Sequence, residues 1–102
     1  MYKIVYFVPE DGLDDTKNAL FSIGAGSQGA YSHCAWQTLG MGQFKPLAAS
    51  NPDRGNKEQI NIYQEYRVEM ICEDALLFDA VNALKEAHPY EEPAIDLIKL
   101  EN

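Results

Sequence analysis

Seven residues from Tyr2 to Val8 open the chain with apolar side chains on both alternating faces, Ile4, Tyr6 and Val8 on one and Val5 and Phe7 on the other. A strand buried on both sides reads this way, and Pro9 ends it. Glu10-Asp11-Gly12 reads as a turn. Leu13 to Ile23 then predicts a helix, with Leu13, Thr16, Leu20 and Ile23 along one stripe. Asp14 and Asp15 stand near its start, where the helix dipole favours carboxylates, and Gly24 and Gly26 stop it. A second strand is predicted from Tyr31 to Leu39. Its register sets Tyr31, His33, Ala35 and Gln37 on one face and Ser32, Cys34, Trp36 and Thr38 on the other. Gly40 and Gly42 suggest a bulge or bend after it, and Gln43 to Asn56 a long exposed connection.

Ile60 to Cys72 carries the cleanest alternation. Ile60, Ile62, Tyr66, Val68, Met70 and Cys72 share one face, interrupted by Gln64, and Asn61, Tyr63, Glu65, Arg67 and Glu69 share the other. The run is longer than the usual ~5–6 residues, so this strand either bends or projects beyond its sheet. Asp74 is placed to cap a second helix from Ala75 to Ala87, with a core stripe of Leu77, Val81 and Leu84 broadened by Phe78, Ala80 and Ala87. Pro89 ends that helix and Ala94 to Leu100 forms a last strand. The order strand, helix, strand, strand, helix, strand predicts an α+β fold. It is a ferredoxin-like βαββαβ sandwich with an antiparallel sheet and two helices on one face. The double-sided first strand predicts a second covered face, supplied in so short a chain by another subunit.

Composition narrows the functional classes. Sixteen acidic against eight basic residues leave a formal net charge of -8. Nucleic-acid binding, which needs a basic face, is disfavoured, as is attachment to an anionic membrane. No apolar run is long enough to span a bilayer, and the first residues lack the charged leader and cleavage site of a signal peptide, so a cytoplasmic protein is expected. With 102 residues the chain is expected to be one domain with one core, and two cysteines do not make a disulfide scaffold.

Candidate chemistry concentrates in His88-Pro89-Tyr90-Glu91-Glu92-Pro93, between the second helix and the last strand. A helix C-terminus favours imidazolium at His88, and Glu91 or Glu92 can pair with it. The plainer reading is a capping histidine in a rigid turn. The functional one is a small-ligand or divalent-metal corner of His88, Glu91 and Glu92, joined by His33, since histidine and carboxylate suit zinc-like ions. His33 and Cys34, adjacent on a strand, face apart and so do not form a single site. Cys34 is expected to be a small buried hydrophobe. Gly24-Ala25-Gly26-Ser27-Gln28-Gly29 has the spacing of a dinucleotide fingerprint but follows a helix and precedes a strand, the reverse of what phosphate binding needs. No nucleophile elbow, phosphate loop or zinc-protease motif is present.

Taken together, Gly24-Ala25-Gly26, Gly29, Tyr31-Ser32-His33-Cys34, Gly40-Met41-Gly42-Gln43-Phe44-Lys45-Pro46 and His88-Pro89-Tyr90-Glu91-Glu92 occur in one order. In this the chain resembles the inserted domain of the NIF-three-like family, also known as GTP cyclohydrolase type 2 homologues. That insert is similar in fold to CutA and PII-like regulators, which commonly form trimers. The resemblance implies Tyr31, His33, Cys34, His88, Tyr90, Glu91 and Glu92 as binding candidates. The dinuclear metal site of full-length relatives lies in flanking domains that the match does not include, so the cyclohydrolase activity is not implied. The expected function is therefore a non-catalytic binding or regulatory module, a homo-oligomer with a trimer favoured, taking a small molecule or metal ion. The rivals are a small enzyme with its site at a subunit interface, where His33 and His88 of different chains meet, and a structural adaptor.

Overall fold

The protein is described here by a computed structural model covering residues 1–101. Strands β1 (Tyr2–Val8), β2 (Trp36–Phe44), β3 (Asn61–Cys72) and β4 (Ile95–Lys99) form one antiparallel sheet in the order β2-β3-β1-β4. Helices α1 (Glu10–Ser22) and α2 (Leu77–Ala87) pack on each other and on one face of the sheet, which is the expected ferredoxin-like arrangement. Ile4, Tyr6, Val8, Val68, Met70 and Cys72 meet Leu13, Leu20, Ala80 and Leu84 in a single core. Inside it the Tyr6 hydroxyl donates to Thr16 Oγ1 at 2.9 Å, and Thr16 Oγ1 donates onward to the Gly12 and Leu13 carbonyls at 2.8 and 3.0 Å. Among the described residues no buried side-chain polar atom lacks a partner, as a close-packed interior requires. No helix among them is long and apolar enough to cross a membrane.

Several boundaries differ from expectation, each for a local reason. Helix α1 begins at Glu10, with Pro9 as its cap residue, so Glu10-Asp11-Gly12 is the first helical turn rather than a preceding one. Glu10 and Asp11 favour the dipole's positive end. Gly12 is a close-approach residue, since a Cβ there would lie 2.9 Å from Pro89 Cδ and 3.0 Å from Val8 Cγ2. Strand β2 starts at Trp36 instead of Tyr31. Gln28 and Tyr31 close a tight turn through mutual backbone hydrogen bonds of 2.8 and 3.0 Å, and His33 has φ of 59°. That left-handed conformation interrupts a strand. Gly40 and Gly42 stand inside β2 with unbroken pairing to β3, so the expected bulge is absent. Helix α2 follows a short 3₁₀ turn, Asp74–Leu76, and Asp74 caps nothing. Its carboxylate instead takes the Met1 amine and Lys99 Nζ.

The alternation in β3 is buried over only half its length. β1 pairs with Tyr66–Cys72, while Asn61–Glu65 pairs with β2 alone. The β2–β3 hairpin therefore projects, and the molecule measures 46 × 24 × 24 Å. Ile62, expected in the core, is 59% exposed because no layer lies beneath it, and Leu39 and Met41 on the same face are exposed too. On the helix-free face Val5 is fully buried. The chain itself supplies part of the cover: Lys3 and Arg67 reach Glu69 at 3.7 and 3.3 Å, and Arg67 lies over the Phe7 ring at 5.8 Å.

Candidate functional site

The turn after α2 is built around the His88 side chain. Its backbone is extended (φ -78°, ψ 135°), which releases the chain from the helix, as expected before proline. The ring is buried. Nε2 donates to the Phe7 carbonyl at 2.6 Å, and Nδ1 accepts the Tyr90 backbone N–H at 3.1 Å. Those two bonds require one proton on Nε2 and none on Nδ1, which is the neutral imidazole. Burial pushes its pKa below the usual 6.5; the Phe7 carbonyl acts the other way, and Arg54 and Asp53 add opposing charge effects. The imidazolium paired with Glu91 or Glu92, expected from the helix dipole, is thus replaced by a neutral ring held by main-chain atoms. Desolvation outweighs the dipole here.

Beyond His88 the Tyr90 ring sits among aromatic and charged groups. It lies 4.9 Å from the His88 ring and 6.4 Å from Phe44, whose other neighbour, Tyr63, stacks at 5.7 Å. The Arg54 guanidinium stands over it at 5.5 Å. The Tyr90 hydroxyl donates to Glu65 at 3.3 Å. Burial, reinforced by the Glu65 charge, pushes the phenol up to about 12, so it remains a donor at neutral pH. Arg54 reaches Asp53 at 2.7 Å and Asp11 at 3.2 Å. Burial opposes its charge, and the two carboxylates more than compensate. Arg54 thereby ties the β2–β3 connection to the first turn of α1. Glu91 holds the same connection from the other side by accepting the Asn51 N–H at 3.1 Å.

Between that connection and the turn lies a cleft of about 510 Å³, within the size range of small-molecule sites. Phe44, Pro46, Leu47, Ala49 and Pro52 give it apolar walls, and Lys45, Arg54, Tyr90, Glu91 and Glu92 bring polar and charged groups. A smaller hollow of about 360 Å³ across Gly40 and Gly42 shares Phe44, Tyr90 and Glu92 with it.

Of the residues singled out in the sequence, Tyr90, Glu91 and Glu92 line this cleft, and His88 holds the Tyr90 main chain without lining it. Tyr31, His33 and Cys34 are elsewhere. Their loop is pinned to the Cys72 end of β3, where the Gly26 N–H donates to the Ile71 carbonyl and the Cys34 N–H to the Gly26 carbonyl, both at 2.8 Å. His88 bonds Phe7, at the opposite end of the sheet. His33 Nδ1 lies 2.9 Å from Ser32 Oγ and its ring rests on Phe21 at 4.7 Å. Cys34 is half-buried, with Sγ 3.8 Å from the Ser32 carbonyl. One chain therefore does not bring His33 to His88, Glu91 and Glu92, and among the described residues no group of three or more His, Cys, Asp or Glu is arranged to hold a metal ion. Of the other cleft residues, Phe44 and Pro46 stand in the Gly40–Pro46 run that carries the family resemblance, while Pro52 and Arg54 belong to the segment expected as an exposed connection and were not candidates. The one available signal was Pro52-Asp53-Arg54-Gly55, a charge pair between two turn formers.

The sheet order and the two helices define a ferredoxin-like domain of the CutA kind. CutA from Pyrococcus horikoshii superimposes with a TM-score of 0.74 at 16% identity, over all of this chain and 86% of that one, a likeness of fold alone. Sequence kinship lies with longer proteins. The GTP cyclohydrolase 1 type 2 homolog of Listeria monocytogenes is 43% identical over 100 residues, covering 97% of this chain and 27% of the relative. That of Bacillus subtilis is 35% identical over 99 residues. A Bacillus cereus protein related to NIF3 matches with a TM-score of 0.86 and 36% identity, over 99% of this chain and 26% of its own. No family model matches. The chain is thus a relative of the GTP cyclohydrolase 1 type 2 homologues and NIF3-related proteins, and spans about a quarter of their length.

Proposed function

We propose that this domain is a non-catalytic binding and regulatory module that takes a small molecule in the cleft between the β2–β3 connection and the His88–Pro93 turn. The observation that carries the reading is the cleft itself. Its two walls come from segments 40 residues apart in sequence, joined by the Asn51–Glu91 hydrogen bond and the Arg54–Tyr90 contact. A ligand bridging them would stiffen the projecting hairpin against the body of the domain, and that is how binding would be relayed to whatever the hairpin meets. The ligand is a small molecule rather than a metal ion, because both nitrogens of His88 already serve the main chain.

The module is proposed to work as a cytoplasmic homo-oligomer, with a trimer as the expected state. Supporting this are the elongated shape, the unpaired outer edges of β2 and β4, and the exposed Leu39, Met41 and Ile62 on one face of the hairpin. Two measurements test the reading. Native mass spectrometry should give three copies, and a monomer would contradict the assembly. A fragment screen by ligand-observed NMR should give hits that Phe44→Ala abolishes, and hits indifferent to that change would contradict the cleft.

A further inference from the structure

We propose that the cleft selects an organic cation, an ammonium or guanidinium group on a flat or aliphatic body, over an anion of the same shape. This rests on the cleft being the ligand site and adds its charge preference. The obvious anion receptor, Arg54, is already engaged: Asp53 approaches its guanidinium at 2.7 Å, Asp11 at 3.2 Å, and its Cζ stands over the Tyr90 ring at 5.5 Å. Those contacts take up Nε and Nη2, so an incoming carboxylate or phosphate would be left with Nη1 and would face the repulsion of two carboxylates that the fold itself supplies. Lys45 is the other cation in the lining, and its side chain is exposed and long enough to turn into water.

Negative charge is arranged differently. Glu92 is exposed on the cleft wall, and Glu91 spends one carboxylate oxygen on Asn51, leaving the second for a ligand. Glu65 lies directly behind Tyr90. Around the cleft, five carboxylates (Asp11, Asp53, Glu65, Glu91, Glu92) stand against three cations (Lys45, Arg54, and Lys57 on the Ala48 carbonyl), within a chain of net charge -8. The phenol of Tyr90, pushed up by burial and then by Glu65, stays uncharged in this field. Two aromatic faces complete the environment. Electron-rich rings attract cations within about 6 Å, most strongly where water is partly excluded. The Arg54–Tyr90 contact is an internal instance: the chain seats a guanidinium of its own on that ring, among carboxylates, and leaves Phe44 and the Glu91–Glu92 pair for a second one.

Three probes of one shape and different charge test this: benzamidinium, benzyl alcohol and benzoate, titrated into the intact protein at low salt and followed by ¹H–¹⁵N correlation spectra. Benzamidinium should shift the amides of Ser50 to Arg54 and Tyr90 to Glu92, and benzoate should bind at least about tenfold more weakly, a discrimination ordinary for one well-placed charge. The double change Glu91→Gln with Glu92→Gln keeps the hydrogen-bond acceptor for Asn51. It should weaken benzamidinium about fivefold or more and leave benzyl alcohol unchanged. Benzoate or benzyl alcohol binding these amides as tightly as benzamidinium would overturn the cation preference while leaving the cleft as the ligand site. Failure of all three probes to move any of these amides would overturn both.

Discussion

The backbone N–H of Tyr90 donates to Nδ1 of His88 at 3.1 Å, so the side chain that closes α2 also sets where the aromatic wall of the cleft begins. The other ring nitrogen is bonded to Phe7 on β1, the central strand of the core. One neutral imidazole therefore couples the cleft to the end of β1, an inner strand of the sheet.

That coupling makes stability depend on pH. Protonating Nδ1 removes the acceptor for Tyr90 and places a charge in a buried site. The folded pKa lies below the ordinary 6.5, so the unfolded chain binds the proton first. Stability from His88 is complete above about pH 6.5 and is lost as pH falls from there through the folded value. Urea midpoints measured from pH 8 to 5 should decline below 6.5 in the parent protein. His88→Gln should be less stable throughout and flat in that window. An unchanged slope in the variant would contradict the assignment.

In the core, Tyr6 and Thr16 are unequal partners. Tyr6→Phe leaves Thr16 bonded to the Gly12 and Leu13 carbonyls and should cost about 1 kcal/mol. Thr16→Val strands the Tyr6 hydroxyl in a fully buried position, and the expected loss is larger, about 2–3 kcal/mol. Urea denaturation of both variants gives the order, and equal costs would contradict it. Burial, eased slightly by Thr16, already pushes the Tyr6 phenol up to about 12.

Two glycines make separable predictions. Gly12→Ala forces a methyl group against Pro89 and Val8 and should destabilise by roughly 1–3 kcal/mol, read from the urea midpoint. Gly42→Ala places a Cβ 2.6 Å from Glu65 Cδ. The flexible Glu65 side chain can swing aside, so stability should fall by less than about 1 kcal/mol. Tyr90 then loses its carboxylate partner, and its phenol should titrate below the parent's value of about 12. Tyrosine ¹³C shifts followed with pH measure this directly, and an unmoved Tyr90 would contradict the link.

Zinc offers a further check. With both His88 nitrogens bonded to the main chain, any zinc the protein takes up should be insensitive to His88→Gln. Isothermal titration of the two proteins tests this, and loss of a stoichiometric site in the variant would mean that the ring leaves the Phe7 carbonyl to bind metal.

The fold was legible because it is written in periodicity. The alternation of β3 from Tyr66 to Cys72, the double-sided β1 and the stripe of α1 survive folding, and they settle the element order and the sheet; on α2 the core falls on Leu77, Ala80 and Leu84, and Phe78, expected to broaden the stripe, is exposed. Boundaries were less legible where one backbone angle or one close contact decides. Positive φ at His33 accompanies a start of β2 five residues later than the alternation predicts, and Glu10-Asp11-Gly12, turn-like in composition, is the first turn of α1 with Gly12 against Pro89. Half of the candidate site was visible in Tyr90, Glu91 and Glu92. The other half was not, because Pro52 and Arg54 gain meaning only when a loop with no periodicity folds back on a turn some 40 residues later. The exposure of Ile62 was hidden for a related reason: alternation reports which face a residue occupies, and strand pairing decides whether anything covers it.

The most direct test is where the first bound ligand sits. With the small molecule that emerges from fragment screening, amide shifts in a ¹H–¹⁵N correlation spectrum should fall on residues 44–54 and 90–92. Shifts confined instead to residues 24–34, with the cleft silent, would contradict the proposed site and move it to the loop that carries His33 and Cys34.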